Sequence, residues 1–336
     1  MTVSELAQKI GVSTATISRV INNEGNVSEE TRKKVLDALE RENASIKTRK
    51  KSSNPKNNSA VLIVAGDINN PIVVKYIDAI CEVLEPAGKT VLISESHYSE
   101  SKELSIMRYA LNADFSGIFM LNIMENPEIV SILQKMQSPV ILVNRYLRTY
   151  DTDLVTIDNY RCGYMSTKYL IDRGHTNIAN LSGPVDSSIT CHNRTQGYLD
   201  AMICSGLKLK ANSIYYGDRS YQSGYDFGLS VAEMPKEERF TAIYSISGKM
   251  ADGCVDALKS KGLRIPEDVS IICNDEINLE YVLKEKLTCI EPDHHAIGVA
   301  AAELYLDRLK SNKCSTPRRI EYPPIFTDRG SVRKIQ

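Results

Sequence analysis

Apolar positions along this chain keep one period up to about residue 42 and another from residue 60 onward. Over the first stretch they recur at helical spacing. Leu6, Ala7 and Ile10 form one face, Ile17, Val20 and Ile21 a second, and Val35, Leu36 and Leu39 a third. Thr2 and Glu5 stand at capping-box spacing at the start of the first helix. Gly11 suits the left-handed residue that ends it. Ser13 and Ser28 suit the N-caps of the next two helices. The first two helices meet across Gly11-Val12-Ser13, so the pattern predicts a helix-turn-helix unit of three helices.

Residues 43–59 break the pattern. The segment ASIKTRKKSSNPKNNS holds a single large aliphatic residue, Ile46, five Lys/Arg and no acid, and Pro55 disfavours helix at Asn54, so it reads as a basic linker. From Ala60 short apolar runs alternate with amphipathic stretches. Strands are expected at 60–66, 90–96, 117–122, 139–145 and 154–159, with helices near 72–87, 100–112 and 126–136. A second series follows, with strands at 177–183, 213–218, 241–247 and 269–275 and helices near 160–173, 192–205, 221–234 and 250–261. Continuous apolar strands between helices of this length build parallel sheets covered on both faces. The body therefore reads as two similar α/β halves.

Charge sharpens this division. The net charge is −1, yet residues 1–58 hold 11 Lys/Arg against 7 Asp/Glu (+4), and the remainder 30 against 35 (−5). A basic arm on an acidic body suits a protein whose N-terminus alone meets phosphate. The face opposite Ile17 and Ile21 carries Thr14, Ala15, Thr16, Ser18, Arg19 and Asn22. Small residues allow close approach to base edges, and a guanidinium can donate two bonds to guanine. Ser13, Ser18 and Asn22 suit phosphate-positioning contacts. The bland alternative is a small helical domain with a tidy core; the polar face argues against it.

The wording of residues 11–40, GVSTATISRVINNEGNVSEETRKKVLDALE, resembles the headpiece of the lactose-repressor (LacI) family, whose pattern is roughly GVS-x-x-TVSRVLN…VS-x-x-T-R-x-x-V. Further stretches fall in the order of that family, among them NNPI (69–72), PVILVNR (139–145), VTIDNYRCG (155–163), LIDRGHTNIANLSG (170–183), RTQGY (194–198) and LTCIEP (287–292). The resemblance implies a body with the type I periplasmic-binding-protein fold. Lobe one would take about 60–158 and 290–318, and lobe two about 159–289 and 319–330. It further implies that Thr14, Ala15 and Arg19 read bases and that a homodimer binds a roughly palindromic double-stranded operator. Helices around Val74–Leu84 and Leu104–Ala113 would form the dimer face. No leucine heptad follows Arg329, so a tail-mediated tetramer is not expected.

Ligands in open parallel sheets sit beyond the carboxyl ends of the strands. That rule nominates Asp67, Asn69, Asn122, Arg145, Asp158, Gly183, Asp218, Ser247 and Asp275. The resemblance singles out Arg194 and Asp275 as effector contacts. It also exposes departures. Ser247 and Gly248 replace an Asn-Asp pair, Arg219 replaces a stacking aromatic, and Ile72 and Val73 replace bulky aromatics. In the linker Ala44, Ile46, Lys47, Lys50 and Ser53 stand where relatives carry Tyr, Pro, Asn, Ala and a minor-groove leucine wedge. Lys47, Arg49, Lys50 and Lys51 remain able to neutralise phosphates. Arg145, Arg194 and Arg219 together suit an effector that is an anionic sugar derivative, although a plain sugar remains open.

Other classes are weaker. No G-x-S-x-G, P-loop, H-E-x-x-H or G-x-G-x-x-G is present, and the eight cysteines and five histidines show no metal spacing, so no cofactor or metal is expected. A hydrolytic cluster of His192, Arg194 and Asp275 is the enzyme alternative. A protein corepressor in place of a small effector is another. The missing secretory signal and the absence of any bilayer-length apolar run point to a cytoplasmic protein with no membrane partner.

Overall fold

The computed structural model describes residues 3–21, 27–41, 59–184, 189–274, 286–311 and 316–335. It forms two compact units, 1–58 and 59–336. The first contains α1 (Val3–Ile10), α2 (Thr14–Ile21) and α3 (Glu29–Arg41), each packed against the other two. Leu6, Ala7, Ile17, Val20 and Val35 make its core, with Ile10, Val12, Val27 and Ala38 around them. Gly11 adopts φ +68°, and the Val12 N–H returns to the Ala7 carbonyl at 3.1 Å, closing α1 with a left-handed cap. Ser13 Oγ accepts from Thr16 N at 3.0 Å and Ser28 Oγ from Thr31 N at 3.3 Å, as N-caps of α2 and α3. One expectation fails: Leu36 is 47% exposed, because Val35 and Ala38 supply the inward face of α3. The predicted Thr2 cap lies outside the described residues.

The second unit holds two six-stranded sheets. In lobe one, β1 (Ala60–Ala65), β2 (Thr90–Glu95), β3 (Gly117–Met120), β4 (Val140–Val143), β5 (Asp153–Ile157) and β11 (Arg319–Tyr322) run parallel in the order β11-β5-β4-β3-β1-β2. Alternate residues feed opposite faces. Val61, Ile63 and Ala65 pack under α4 (Pro71–Leu84) and α11 (His294–Lys310), while Leu62 and Val64 pack under α5 (Glu100–Asn112) and α6 (Pro127–Lys135).

Lobe two contains α7 (Asn159–Asp172), β6 (Ile178–Ser182), α8 (Ile189–Cys204), β7 (Ile214–Tyr216), α9 (Tyr221–Ala232), β8 (Ala242–Ser245), α10 (Gly248–Ser260), β9 (Ser270–Asn274) and β10 (Thr288–Glu291). The last strand, β12 (Ile325–Thr327), is antiparallel to β10, and the sheet order is β12-β10-β9-β8-β6-β7.

The chain crosses between lobes after β5, after β10 and after β11, so two expected boundaries move. Residues 290–291 stay in lobe two on β10, and residues 319–322 belong to lobe one as β11, not to lobe two. The reason is an edge pairing that the charged sequence RRIEY conceals. Leu154 N donates to Arg318 O at 2.9 Å, and Arg318 N donates to Asp153 Oδ1 at 2.8 Å. The same carboxylate takes both arms of Arg308 at 2.6 Å, tying α11 to β5 in a buried fork.

Helix pairs in lobe two approach unusually closely, and the device appears twice. A Cβ on Gly163 would collide with the Arg194 carbonyl, and one on Gly197 with the Tyr160 carbonyl, so α7 and α8 touch backbone to backbone. Gly224 and Gly253 repeat this between α9 and α10 against Met250 and Tyr221. Each pair carries stacked tyrosines, Tyr160–Tyr164 at 6.2 Å and Tyr221–Tyr225 at 6.3 Å. The first ring of each donates to an aspartate across the pair, Asp200 at 3.0 Å and Asp256 at 2.6 Å. Gly163→Ala is expected to destabilise the protein by about 1–3 kcal/mol, because the helices must separate; chemical denaturation measures this.

His175 is buried between Thr241 Oγ1 (3.0 Å) and the Arg333 carbonyl (3.2 Å), where desolvation lowers its pKa from the ordinary 6.5 to about 4. Between those values the unfolded chain binds the extra proton, so the associated stability is complete above pH 6.5 and lost as pH falls towards 4. Acidification to about pH 5 is expected to remove about 2 kcal/mol more from the wild type than from His175→Gln. Denaturation curves of both proteins at the two pH values test it.

Candidate functional site

The headpiece and the cleft of the body are separate sites. On α2, Thr14, Ala15 and Arg19 are exposed and Thr16 is half-buried, while Ile17 and Val20 face the core. Ser13 is exposed, but its hydroxyl also bonds Thr16 Oγ1 at 2.8 Å, so the cap shares the residue with any phosphate contact. Ser18 follows on α2 with its side chain outside the described set. Asn22, Lys47, Arg49 and Lys50 lie outside the described residues. The result is a short helix whose first turn presents small polar groups to solvent, followed by an arginine one turn later.

In the body, the strand-end rule brings together a tighter group than it named. Arg145, just after β4 in lobe one, donates through Nη1 to its neighbour Asn144 O at 2.8 Å and to Thr190 Oγ1 at 3.2 Å, at the start of α8 in lobe two. Arg219, after β7 in lobe two, lays its guanidinium 5.1 Å from the centre of the Tyr98 ring, after β2 in lobe one. A cation over an aromatic face is attracted by the ring's quadrupole. Tyr98 in turn lies on Gly66, where any Cβ would meet the ring. Asn193 Nδ2 donates to Tyr146 Oη at 2.9 Å, a third bridge across the cleft. Burial, and then the Arg219 charge, push the Arg145 guanidinium below its ordinary pKa.

Backbone strain gathers at the same place. Tyr98 (φ 55°), Asn144 (φ 50°) and Arg219 (φ 71°) are left-handed without being glycine. Such residues persist only where their surroundings hold them, and they cluster at ligand sites.

The remaining nominees are placed elsewhere. Arg194 is buried within lobe two, donating from Nε to Asn159 Oδ1 at 2.9 Å and from Nη1 to Ile246 O at 2.8 Å, so it braces α8 against α7 and the end of β8. Asn122 is buried after β3 and donates to Glu103 Oε2 at 2.6 Å. Burial raises the Glu103 pKa, while bonds from Met124 N and Asn122 pull it down. Val73 packs into the lobe-one core, and Asn69 is exposed in the turn before α4. Ser247 precedes α10 and is half-buried. Asp275 lies outside the described residues. Tyr98, Thr190, Asn193 and Tyr146 were not nominated. Tyr98 and Tyr146 had a signal, since each stands three residues beyond the carboxyl end of a strand, β2 and β4, and the same rule reaches both.

Among the described residues no cluster of three His, Cys, Asp or Glu side chains is arranged to hold a metal ion, and no helix is long and apolar enough to cross a membrane.

Comparison with known proteins is consistent with this geometry. Residues 2–43 match bacterial regulatory proteins of the lacI family, and residues 58–329 match the periplasmic binding proteins and sugar binding domain of the LacI family. Catabolite control protein A of Priestia megaterium is 30% identical over 327 residues, 96% of this chain and 98% of that protein. The HTH-type transcriptional repressor CytR of Escherichia coli K12 is 28% identical, covering 99% of this chain and 97% of its own. Among solved structures, the transcriptional regulator CelR in complex with cellobiose shares the fold at TM-score 0.73 and 23% identity, over 98% of this chain and 99% of that one. A LacI family regulator from Enterococcus faecium with bound ribose does so at TM-score 0.72 and 23% identity, over 82% and 100%. These relatives are transcriptional regulators, which removes the enzyme alternative. The chain belongs to the LacI family of DNA-binding transcriptional regulators.

Proposed function

We propose that the protein acts as a homodimeric repressor. In this reading Thr14, Ala15 and Arg19 read bases in the half-sites of a palindromic operator. Ser13, Thr16, Ser18 and Asn22 position the headpiece on phosphates, joined by Lys47, Arg49 and Lys50 of the linker. A small polar effector (a sugar, sugar phosphate or sugar acid) binds between the lobes and shifts operator affinity. The observation that carries the reading is α2 itself, which faces solvent with Thr14, Ala15 and Arg19 while Ser13 caps it and Ile17 anchors it. The sugars named with two solved relatives support a cleft ligand of that kind. DNA binding of this sort takes place in the cytoplasm.

A second copy has a face to meet. Val74 on α4, Leu92 and Ile93 on the edge strand β2, and Tyr109 on α5 are 39%, 47%, 50% and 68% exposed. An uncovered apolar edge strand is an aggregation hazard that a dimer partner relieves. Two headpieces joined through such a face address half-sites on one side of the duplex. The effector can shift the balance only through its different affinity for the two lobe arrangements.

Selection from random duplexes by the full-length protein is expected to return a palindrome, and recovery of no preferred sequence overturns the reading. Arg19→Ala is expected to weaken the selected site by about 1–3 kcal/mol while leaving non-specific binding unchanged. The linker adds a separate expectation. Ser53 stands where the family places its apolar wedge, and a serine cannot prise open a base step. Ser53→Leu is therefore expected to increase operator bending in a circular-permutation gel assay, relative to the wild type.

A further inference from the structure

Among the described residues, Asp67, Glu95, Asp158 and Asp218 stand at or just beyond strand ends, and each accepts from a backbone N–H. Asp67 Oδ1 accepts from Asn69 N at 2.9 Å, and Glu95 Oε1 from Ile68 N at 3.0 Å. Asp158 Oδ1 caps α7 through Arg161 N at 2.8 Å, and Asp218 Oδ1 accepts from Ser220 N at 2.8 Å. The last case is telling, because Asp218 adjoins Arg219 in sequence yet turns away to the start of α9. Glu95 also faces His97 at 3.3 Å rather than the arginines.

Arg145 and Arg219 are left as two permanent cations, one from each lobe, with no carboxylate partner among the described residues. Their contacts are neutral: two oxygens for Arg145 and the Tyr98 face for Arg219. A Cβ on Gly183 would meet both Cys191 Sγ and Arg219 Cγ, and Cys191 follows the Thr190 that Arg145 bonds, so the two cations are neighbours; they repel each other, and both are partly withdrawn from water. Desolvated like charges are unfavourable unless something compensates them. Tyr98, Asn144 and Arg219 hold this arrangement in left-handed backbone.

We infer that the effector carries a phosphomonoester, and that Arg145 and Arg219 close on its phosphate from opposite lobes with Tyr98 beneath the Arg219 guanidinium. This rests on the reading of the cleft as the effector site. The charge arithmetic selects the group. A phosphomonoester bears about −1.5 to −2 at neutral pH, which matches two guanidiniums, and its three oxygens accept from both forks. A carboxylate supplies one charge and a neutral sugar none. Because the two cations belong to different lobes, the phosphate stabilises the closed arrangement in particular, as an effector must.

Thermal unfolding and calorimetry on the full-length protein test this with glucose 6-phosphate, ribose 5-phosphate, gluconate, glucose, ribose and inorganic phosphate. At least one phosphate ester is expected to bind tenfold or more tightly than its parent sugar, and inorganic phosphate alone to raise the Tm. Arg219→Gln and Arg145→Gln are each expected to lower the ester's affinity at least tenfold, and Arg219→Lys to restore part of it. Without ligand, Arg219→Gln is expected to match or exceed the wild-type Tm, since it removes a repulsion; a structural arginine would give the opposite sign. Binding of a neutral sugar as tight as its ester, indifferent to Arg219→Gln, overturns the inference while the effector reading stands. Absence of phosphate-dependent stabilisation by inorganic phosphate and both esters overturns it as well. If the neutral sugars and gluconate also fail to bind, the effector reading falls with it.

Discussion

Because the chain passes between the two sheets three times, neither lobe of the body is a separate stretch of sequence, and motion between them is confined to a hinge. Each crossing begins where a strand ends: Ile157, Glu291 and Tyr322. The third is fixed by Asp153, whose carboxylate holds Arg308 of α11 and the backbone of Arg318 together. A buried pair of this kind adds little net stability compared with apolar packing, but removing one partner costs about 3–5 kcal/mol because the other charge is stranded. Its contribution is to register. It decides where β11 begins and therefore which lobe receives the last crossing. The crossings gather at one side of each sheet, at β5 and β11 and at β10 and β12, while Tyr98 after β2 and Arg219 after β7 stand at the opposite edges.

Most of the fold was legible because parallel strands buried on both faces must be apolar at every position. AVLIVA, VILV and SIICN can hardly be anything else, and the helices between them carry their own caps, such as Asn70 before Pro71 and Asn126 before Pro127. What escaped were β10, α11, β11 and β12, all after residue 285, of which β11 and β12 are edge strands. β11 reads Arg-Ile-Glu-Tyr, alternating as an edge strand does, and without its partner it passes for a surface loop. The exposed Leu36 escaped for a related reason. In a three-helix unit the buried stripe is narrow, and Val35 and Ala38 already fill it. The glycine contacts between helix pairs could not be anticipated from spacing alone, since a glycine in a helix shows its purpose only against its neighbour.

The candidate site was half legible. Strand ends nominated Arg145, which the structure places against Thr190 of the other lobe, and comparison with the family pattern drew attention to Arg219 as an arginine in an aromatic's place. Both were grouped with Arg194 around one anionic effector, but their contacts with Thr190 and Tyr98 across the lobes depend on how the lobes face each other. Arg194, the first residue of RTQGY, was expected to contact the effector; in the structure it donates to Asn159 and Ile246 inside lobe two. Those bonds tie α8 to the start of α7 and the end of β8, one turn beyond the Thr190 that meets Arg145. Tyr98 lay within reach of the strand-end rule, but only the Arg219 guanidinium over its ring gives it a chemical part in the cleft.

These particulars bear on how a cleft can act as a switch. Closing two lobes around nothing brings Arg145 and Arg219 together at an electrostatic penalty, and opening them exposes the aromatic and backbone surfaces that the bridges cover. Two arrangements separated by a modest energy are what a ligand needs in order to have leverage, since it can contribute only its difference in affinity. The bridges Arg145–Thr190, Asn193–Tyr146 and Arg219–Tyr98 are each single and polar, so none of them locks the cleft by itself. A well-packed apolar seam here would hold the lobes shut whatever was bound. The left-handed residues Tyr98, Asn144 and Arg219 sit in loops beyond strand ends rather than within the strands. The separation of roles follows from the same physics: apolar strands give each lobe its rigidity, and the polar seam between them leaves the angle adjustable.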